Sequence, residues 1–146
     1  MGFGVESLMK LMKPWILLIA IGIGAVLAAQ AHHSISGVYD TGQQVTLEGT
    51  ISQFQFVQPH PFLLMEGKVK DGSGSAQSWR LEMDNLRELA EVGMTDQTLK
   101  PGDRVVVSGN PGRNKPQTLY IRRLDRAADG FWYEQVGSSP SVGTAR

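Results

Sequence analysis

The sequence predicts an all-β domain with one helix, and three observations lead to this class. Five segments alternate apolar and polar residues or contain β-branched runs, as strands do. Turns rich in glycine, proline and small polar residues separate most of these segments. One stretch after the third segment changes to the spacing of an amphipathic helix.

The first two predicted strands flank a proline-rich break. Residues 45–54 alternate in character, and Gly49 within them indicates a bulge or a sharp bend of the kind that a small barrel requires. The two prolines of residues 58–61 remove two backbone donors, so strand pairing is expected to stop there. Residues 62–69 form the second predicted strand, which ends at the flexible loop 71–75.

The third predicted strand is followed by the helix. Residues 77–83 alternate, and the period then changes to helical spacing over residues 85–91. Asp84 or Asn85 can cap the start of this helix, and Gly93 can end it.

The last third of the chain contains the remaining strands. Residues 104–108 hold three consecutive valines, and residues 118–124 form the fifth strand after a loop. Residues 131–133 are aromatic and can add a short final strand. Residues 137–146 are small and polar, and they are predicted to be a disordered tail.

The order of these elements indicates the architecture. Three strands, a helix and two strands is the order of the OB-fold, a five-stranded Greek-key barrel with its helix between strands three and four. Another small antiparallel barrel plugged by a helix is the alternative. The sequence therefore predicts an OB-fold-like barrel domain over residues 32–136, followed by the disordered tail at 137–146.

The first 31 residues are typical of a secretory signal peptide. Two lysines precede an uncharged apolar run at residues 15–29, and Ala29-Gln30-Ala31 matches a signal-peptidase site. The run is short for a membrane-spanning helix, which needs about 20 residues. We therefore expect cleavage after Ala31 and a periplasmic protein. An uncleaved N-terminal inner-membrane anchor is the alternative, as is cleavage after Ala29, which would place His32 third in the mature chain.

Composition excludes several classes of site and partner. The chain has no cysteine, so disulfides, thiolate metal sites and cysteine nucleophiles are excluded. Lys and Arg number 14 and Asp and Glu also number 14, a balance that gives no reason to expect nucleic acid as a partner. Contact with a membrane is expected only through the leader, if cleavage fails.

The histidines are the strongest candidates for chemistry. The chain has three, and cleavage after Ala31 would make His32 the first residue of the mature protein. Its free amine and ring nitrogen could then bind one copper ion together with His60, in the T-shaped arrangement called a histidine brace. Copper(II) favours nitrogen ligands in a planar arrangement. His33 could replace His60, so His32, His33 and His60 are the predicted metal ligands.

Two alternatives to a copper site stay open. In the first, the pair His32-His33 is a floppy terminus and His60 is a polar loop residue that hydrogen-bonds to backbone. Zinc would need a fourth ligand besides three nitrogens. The residues considered for that position are Tyr39, Asp40 and Glu66.

Other side-chain sets are each compatible with a structural role. Four aromatic residues could form a ligand platform on the barrel face, although at strand spacing such residues more often belong to the core. They are Phe54, Phe56, Phe62 and Trp79.

Five basic residues could bind an anion or form a solvated strand face. They are Arg113, Lys115, Arg122, Arg123 and Arg126. Three acids flank the helix start, where carboxylates favour the helix dipole. They are Glu82, Asp84 and Glu88.

The order of four motifs resembles that of a known protein family. The motifs are Ala31-His32-His33-Ser34, the strand segment 45–51, Pro59-His60 and the turn Leu99-Lys100-Pro101-Gly102-Asp103. This set resembles the small exported bacterial proteins catalogued as domain of unknown function 6152. Ile35 and Gln58 depart from the phenylalanine and asparagine usual in that family, and neither change removes a histidine. The resemblance implies export and a small barrel, and it implies no activity.

These observations predict an exported protein that binds a ligand and does not transform one. The leading hypothesis is copper binding in a carrier or handling role. A metal-free structural or interaction module, docking to another periplasmic protein, is the first alternative. An oxidase or oxygenase built on a histidine brace is the second, and no complete catalytic motif supports it.

Overall fold

The computed structural model describes residues 35–72 and 74–145. The predicted signal peptide and the pair His32-His33 lie outside these residues. Residues 35–38 are helical. The remaining elements are β1 (Val45–Gln55), β2 (Phe62–Val69), β3 (Gln77–Glu82), α1 (Leu86–Glu91), β4 (Arg104–Pro111), β5 (Thr118–Arg126), β6 (Phe131–Val136) and β7 (Ser139–Thr144). In the described part of the chain, no helix has the length and apolar character needed to cross a membrane.

Five of the seven strands close into a barrel. The strands are ordered β3-β2-β1-β4-β5-β6-β7, and an additional pairing joins β3 to β5. That pairing is parallel, with Leu81 opposite Leu119, while the other pairings within the barrel are antiparallel. The predicted OB-fold-like barrel, with its helix between the third and fourth strands, is therefore confirmed.

The helix begins where the sequence offers a capping side chain. Asn85 is the N-cap, and its side-chain oxygen accepts a hydrogen bond of 3.0 Å from the backbone N–H of Glu88. This bond satisfies one of the donors that the first turn leaves unpaired. Gly93 follows the helix with φ +88°, a conformation that favours glycine.

Inward-facing apolar side chains of the strands fill the barrel. Leu47 and Ile51 of β1 face Leu63 and Met65 of β2, and all four are buried. Leu119 and Ile121 of β5 continue this core. A register shift between β4 and β5 leaves Arg122 as an extra residue, so Leu124 points inward as well.

Two glycines set the closest approach of two barrel strands. Gly49 of β1 lies opposite Gly67 of β2 and points inward between Leu47 and Ile51. A Cβ atom on Gly49 would lie 2.3 Å from the carbonyl oxygen of Glu66. Only glycine fits there. The register shift in β1 lies two to four residues further along, between Ile51 and Gln53.

The C-terminal residues form a strand, so the prediction of a disordered tail over 137–146 is wrong. Strand β7 pairs with β6 along its whole length, and Gly137 turns the chain with φ +60°. The physical reason lies in β6. The ring of Trp132 packs against Gly143, where a Cβ atom would lie 2.7 Å from the indole, and Val142 packs on the core. The aromatic neighbour supplies the apolar surface that the small polar tail lacks.

We predict that Gly49→Ala destabilises the barrel by about 3 kcal/mol or more, because the added methyl group collides with rigid backbone. Thermal or urea unfolding followed by circular dichroism measures this loss. Gly42→Ala is the matched control, since its Cβ would meet only the Asp40 side chain, at 3.5 Å. Equal stability of the two variants would contradict the close approach.

Candidate functional site

The loop that carries His60 is fixed on both sides of the histidine. The carbonyl of Pro59 accepts a hydrogen bond of 3.3 Å from the backbone N–H of Leu86, and the carbonyl of Pro61 accepts one of 2.9 Å from that of Met83. His60 is half-buried, and its Nδ1 atom is buried without a hydrogen-bond partner among the described residues. The backbone therefore positions the imidazole ring, and its Nδ1 atom is not engaged by the described part of the chain.

The described residues place only one of the three predicted metal ligands. His32 and His33 lie outside residues 35–72 and 74–145. Within those residues, no group of three histidine, cysteine, aspartate or glutamate side chains is arranged to hold a metal ion. Two of the residues considered as a fourth ligand are engaged elsewhere: Tyr39 donates to Glu82, and Asp40 pairs with Arg113 at 3.4 Å.

Tyr39 attaches the segment before β1 to the barrel near this loop. Its side chain is buried, its backbone bridges to Gly112, and its hydroxyl donates a hydrogen bond of 2.7 Å to Glu82. Glu82 lies opposite Phe62 in the β2–β3 pairing, and Phe62 follows His60 by two residues. The segment before β1 is thus tethered close to the His60 loop. From the sequence, Tyr39 was considered only as a metal ligand, and no local pattern indicates its pairing with Glu82, 43 positions away.

A buried carboxylate fills the gap between two strands that share one edge of β5. Strand β3 pairs with Thr118–Tyr120, and β6 pairs with Arg123–Arg126. Asp84 follows the last β3–β5 pair by two residues. Its carboxylate accepts a hydrogen bond of 2.5 Å from the side chain of Gln135 and one of 2.7 Å from the backbone N–H of Asn85.

The environment of Asp84 makes these two bonds necessary. Asp84 is 6% exposed and Gln135 is 3% exposed, so water replaces neither bond easily. The hydroxyl of Tyr133 donates a hydrogen bond of 2.8 Å to the other end of the Gln135 amide. The cluster joins β6 to the start of α1, which is also the segment that holds the His60 loop.

All three tyrosines of the chain are buried beside carboxylates. The rings of Tyr39 and Tyr120 lie 5.6 Å apart, on the outer face of the barrel. Burial raises the pKa of Tyr39, Tyr120 and Tyr133 well above its ordinary value. The hydrogen bond to Glu82 adds to this effect on the pKa of Tyr39, and the charge of Asp84 adds to it for Tyr120. The hydroxyls therefore stay protonated. Those of Tyr39 and Tyr133 donate hydrogen bonds, whereas the hydroxyl of Tyr120 is buried without a partner among the described residues.

The four aromatic residues do not form one platform. Phe54, Phe56 and Trp79 pack against the buried core, which confirms the structural interpretation for these three. Phe62 faces outward, and the guanidinium carbon of Arg80 lies 3.4 Å from the centre of its ring. A single aromatic ring covered by an arginine remains on this face.

The arginines late in the chain are engaged within the domain. Each has at least one oxygen acceptor, which limits its availability to an external anion. The contacts are Arg113 with Asp40, Arg122 with Asn110, Arg123 with Asp125, and Arg126 with Asp103 and Asp129. This pattern favours the interpretation of a solvated strand face.

Comparison with known proteins yields one match. A family model described as "Family of unknown function (DUF6152)" matches residues 21–119. No curated protein and no solved structure matches the chain significantly. The match reaches from the N-terminal apolar run into β5 and stops before the β6–β7 hairpin.

We predict that Gln135→Ala lowers the free energy of unfolding by about 2–3 kcal/mol, because it leaves one oxygen of the buried Asp84 carboxylate without a donor. Urea unfolding of the purified domain measures the change. Gln77→Ala is the control, since that exposed side chain loses only a surface hydrogen bond of 3.0 Å to Gln117. A loss no larger than that of the control would show that Asp84 does not depend on Gln135.

We predict that no tyrosine ionises at its ordinary pKa of 10.0 while the domain is folded. Because burial raises the three pKa values in the folded state, the neutral hydroxyls contribute stability that is complete below about pH 10. This contribution is lost as the pH rises further. Ultraviolet absorbance of tyrosinate and far-ultraviolet circular dichroism should therefore change together in an alkaline titration. Tyrosinate absorbance that rises with a midpoint near pH 10 while the circular dichroism stays native would contradict this.

Proposed function

The chain belongs to this family of unknown function, and from its own residues we propose that it is an exported periplasmic protein that binds copper. The copper(II) ligands in this proposal are the amine and ring nitrogen of His32, once signal peptidase has made it the first residue, and the ring of His60. His33 is the alternative ring ligand. The observation that carries the proposal is the fixed loop around His60, whose ring atom Nδ1 has no hydrogen-bond partner among the described residues.

The fixed loop lowers the cost of metal binding at His60. Hydrogen bonds from Leu86 and Met83 hold the carbonyls on both sides of the histidine, so little backbone freedom remains to be lost on ligation. Since Nδ1 is buried, Nε2 is the ring nitrogen that we assign to the metal in this proposal. Neutral imidazole of this kind is a favoured ligand for copper.

The length of the chain allows the mature N-terminus to supply the other nitrogens. His32 precedes Tyr39 by seven residues. Residues 35–38 of this segment are helical, so with the other three residues extended it spans at most about 17 Å. Tyr39 is bonded to Glu82, which lies opposite Phe62 in the β2–β3 pairing. This tether supports the proposal that both histidines can reach one ion.

A metal-free interaction module is the second candidate. Among the described residues, β7 pairs only with β6, so its other edge has no strand partner. A free edge can accept a strand from another protein. In this alternative, the partner is another periplasmic protein and the histidines bind no metal.

We predict that protein exported with its own leader starts at His32 and binds one copper(II) ion with nitrogen ligands. Intact mass establishes the first residue, and electron paramagnetic resonance during copper titration gives stoichiometry and ligation. His60→Ala should weaken binding by about tenfold or more, since a ligand nitrogen is lost. Addition of one residue before His32 should also weaken copper binding, because the free N-terminal amine would then belong to a different residue from the His32 ring.

The control is Gln58→Ala, an exposed change in the same loop that removes no nitrogen ligand. It should bind copper like the wild type. If the His60→Ala variant retains full copper affinity, His60 is not a ligand. Absence of copper binding in protein that starts at His32 would favour the interaction module.

A further inference from the structure

The outer surface of β1–β3 carries a second candidate site. We call it the β2–β3 face and define it by outward side chains of these strands: Gln53, Gln55, Phe62, Leu64 and Arg80. In barrels of this architecture, the face of strands two and three and the loops beside it are the surface that binds ligands. This general tendency directs attention to the face, and its own residues carry the argument.

Arg80 is exposed, and among the described residues its side chain has no hydrogen-bond or ion-pair acceptor, although two carboxylates project from the same face. Glu82 is one of them, and it accepts the Tyr39 hydroxyl. Glu66 is the other, diagonally across the β2–β3 pairing, and it forms no ion pair with Arg80. The guanidinium carbon of Arg80 instead lies over the ring of Phe62, 3.4 Å from its centre.

Stacking on a ring changes what a guanidinium can do. The ring covers one flat side of the group, while the N–H donors point outward in its plane and stay free. Because the stack holds the group in place, less side-chain freedom is lost when an oxyanion binds. A planar fork of donors matches a carboxylate or a phosphate group with two parallel hydrogen bonds.

The neighbouring side chains indicate which other chemical groups the ligand has besides its carboxylate or phosphate. Gln55 lies opposite Phe62, and Gln53 lies opposite Leu64, so two amides flank the stacked arginine. Amides donate to and accept from hydroxyl groups, and Leu64 adds half-buried apolar surface. This combination fits a sugar acid or a sugar phosphate better than a simple inorganic ion.

We propose that Arg80, stacked on Phe62, anchors a binding site on the β2–β3 face for a hydroxylated ligand with a carboxylate or phosphate group. The site uses no metal and none of the proposed copper ligands. Its test is therefore independent of the copper proposal, and metal-free protein suffices for it.

Nuclear magnetic resonance titrations of metal-free mature protein at low salt test the site. Trigalacturonate serves as the carboxylate probe, trehalose 6-phosphate as the phosphate probe, and neutral maltotriose as the uncharged control. We expect at least one charged probe to shift the Arg80 side-chain resonance and the Gln53 and Gln55 amides. Maltotriose should bind more weakly. Absence of shifts with both charged probes would overturn the proposal.

Variants distinguish a specific binding site at Arg80 from nonspecific attraction by net charge. Arg80→Gln should weaken binding by about tenfold or more, as expected for the loss of charge-assisted hydrogen bonds. Arg104→Gln is the matched control, because Arg104 is also exposed and, within the described part of the chain, its side chain has neither an acceptor nor an aromatic ring beneath it. It should change affinity less than about twofold. Equal weakening by both variants would reduce the effect to net charge and overturn the proposal.

Arg80→Lys tests the planar fork itself. Lysine keeps the charge but loses the flat group that stacks and binds two oxygens. Affinity should fall about threefold or more, with the melting temperature unchanged because Arg80 is exposed. Wild-type affinity in Arg80→Lys would show that a point charge suffices, and the stacked guanidinium would then not be the anchor.

Discussion

The arrangement of this domain depends on how one edge of β5 is shared. Strand β4 occupies one edge of β5 along most of its length, so β3 and β6 must divide the other edge between them. The gap where they part is filled by the buried Asp84 carboxylate and its donor Gln135. A buried carboxylate without donors would cost several kcal/mol, so the hydrogen bond holds β6 to the start of α1.

Three features of the candidate sites follow from this contact. The turn at Asp84 and Asn85 presents the N–H groups that fix the loop of His60. The β6–β7 hairpin is held to the barrel by more than its own strand pairing. Glu82, just before the gap, binds Tyr39 and leaves Arg80 without a carboxylate partner. The Asp84–Gln135 contact includes no proposed ligand residue, and it stabilises the turn that fixes the His60 loop.

Local sequence signals predicted most of the barrel and little of what supports the sites. The residues of β2 and the cap at Asn85 follow from alternation and from capping chemistry, both of which are local. The contact between Asp84 and Gln135 joins residues 51 positions apart, and no local pattern indicates it. Strand β7 was missed because its stability comes from Trp132 on the neighbouring strand. The pairing of Tyr39 with Glu82 likewise depends on the closed barrel.

In the proposed site, His60 and the mature N-terminus bind the same copper ion. X-ray absorption spectroscopy on copper-loaded protein that starts at His32 is the decisive measurement, because multiple scattering from imidazole rings counts the histidine ligands. We expect nitrogen ligation with two imidazoles in the wild type and with one in a protein that lacks the His60 ring. The same number of imidazoles in both proteins, or ligation by oxygen alone, would contradict it.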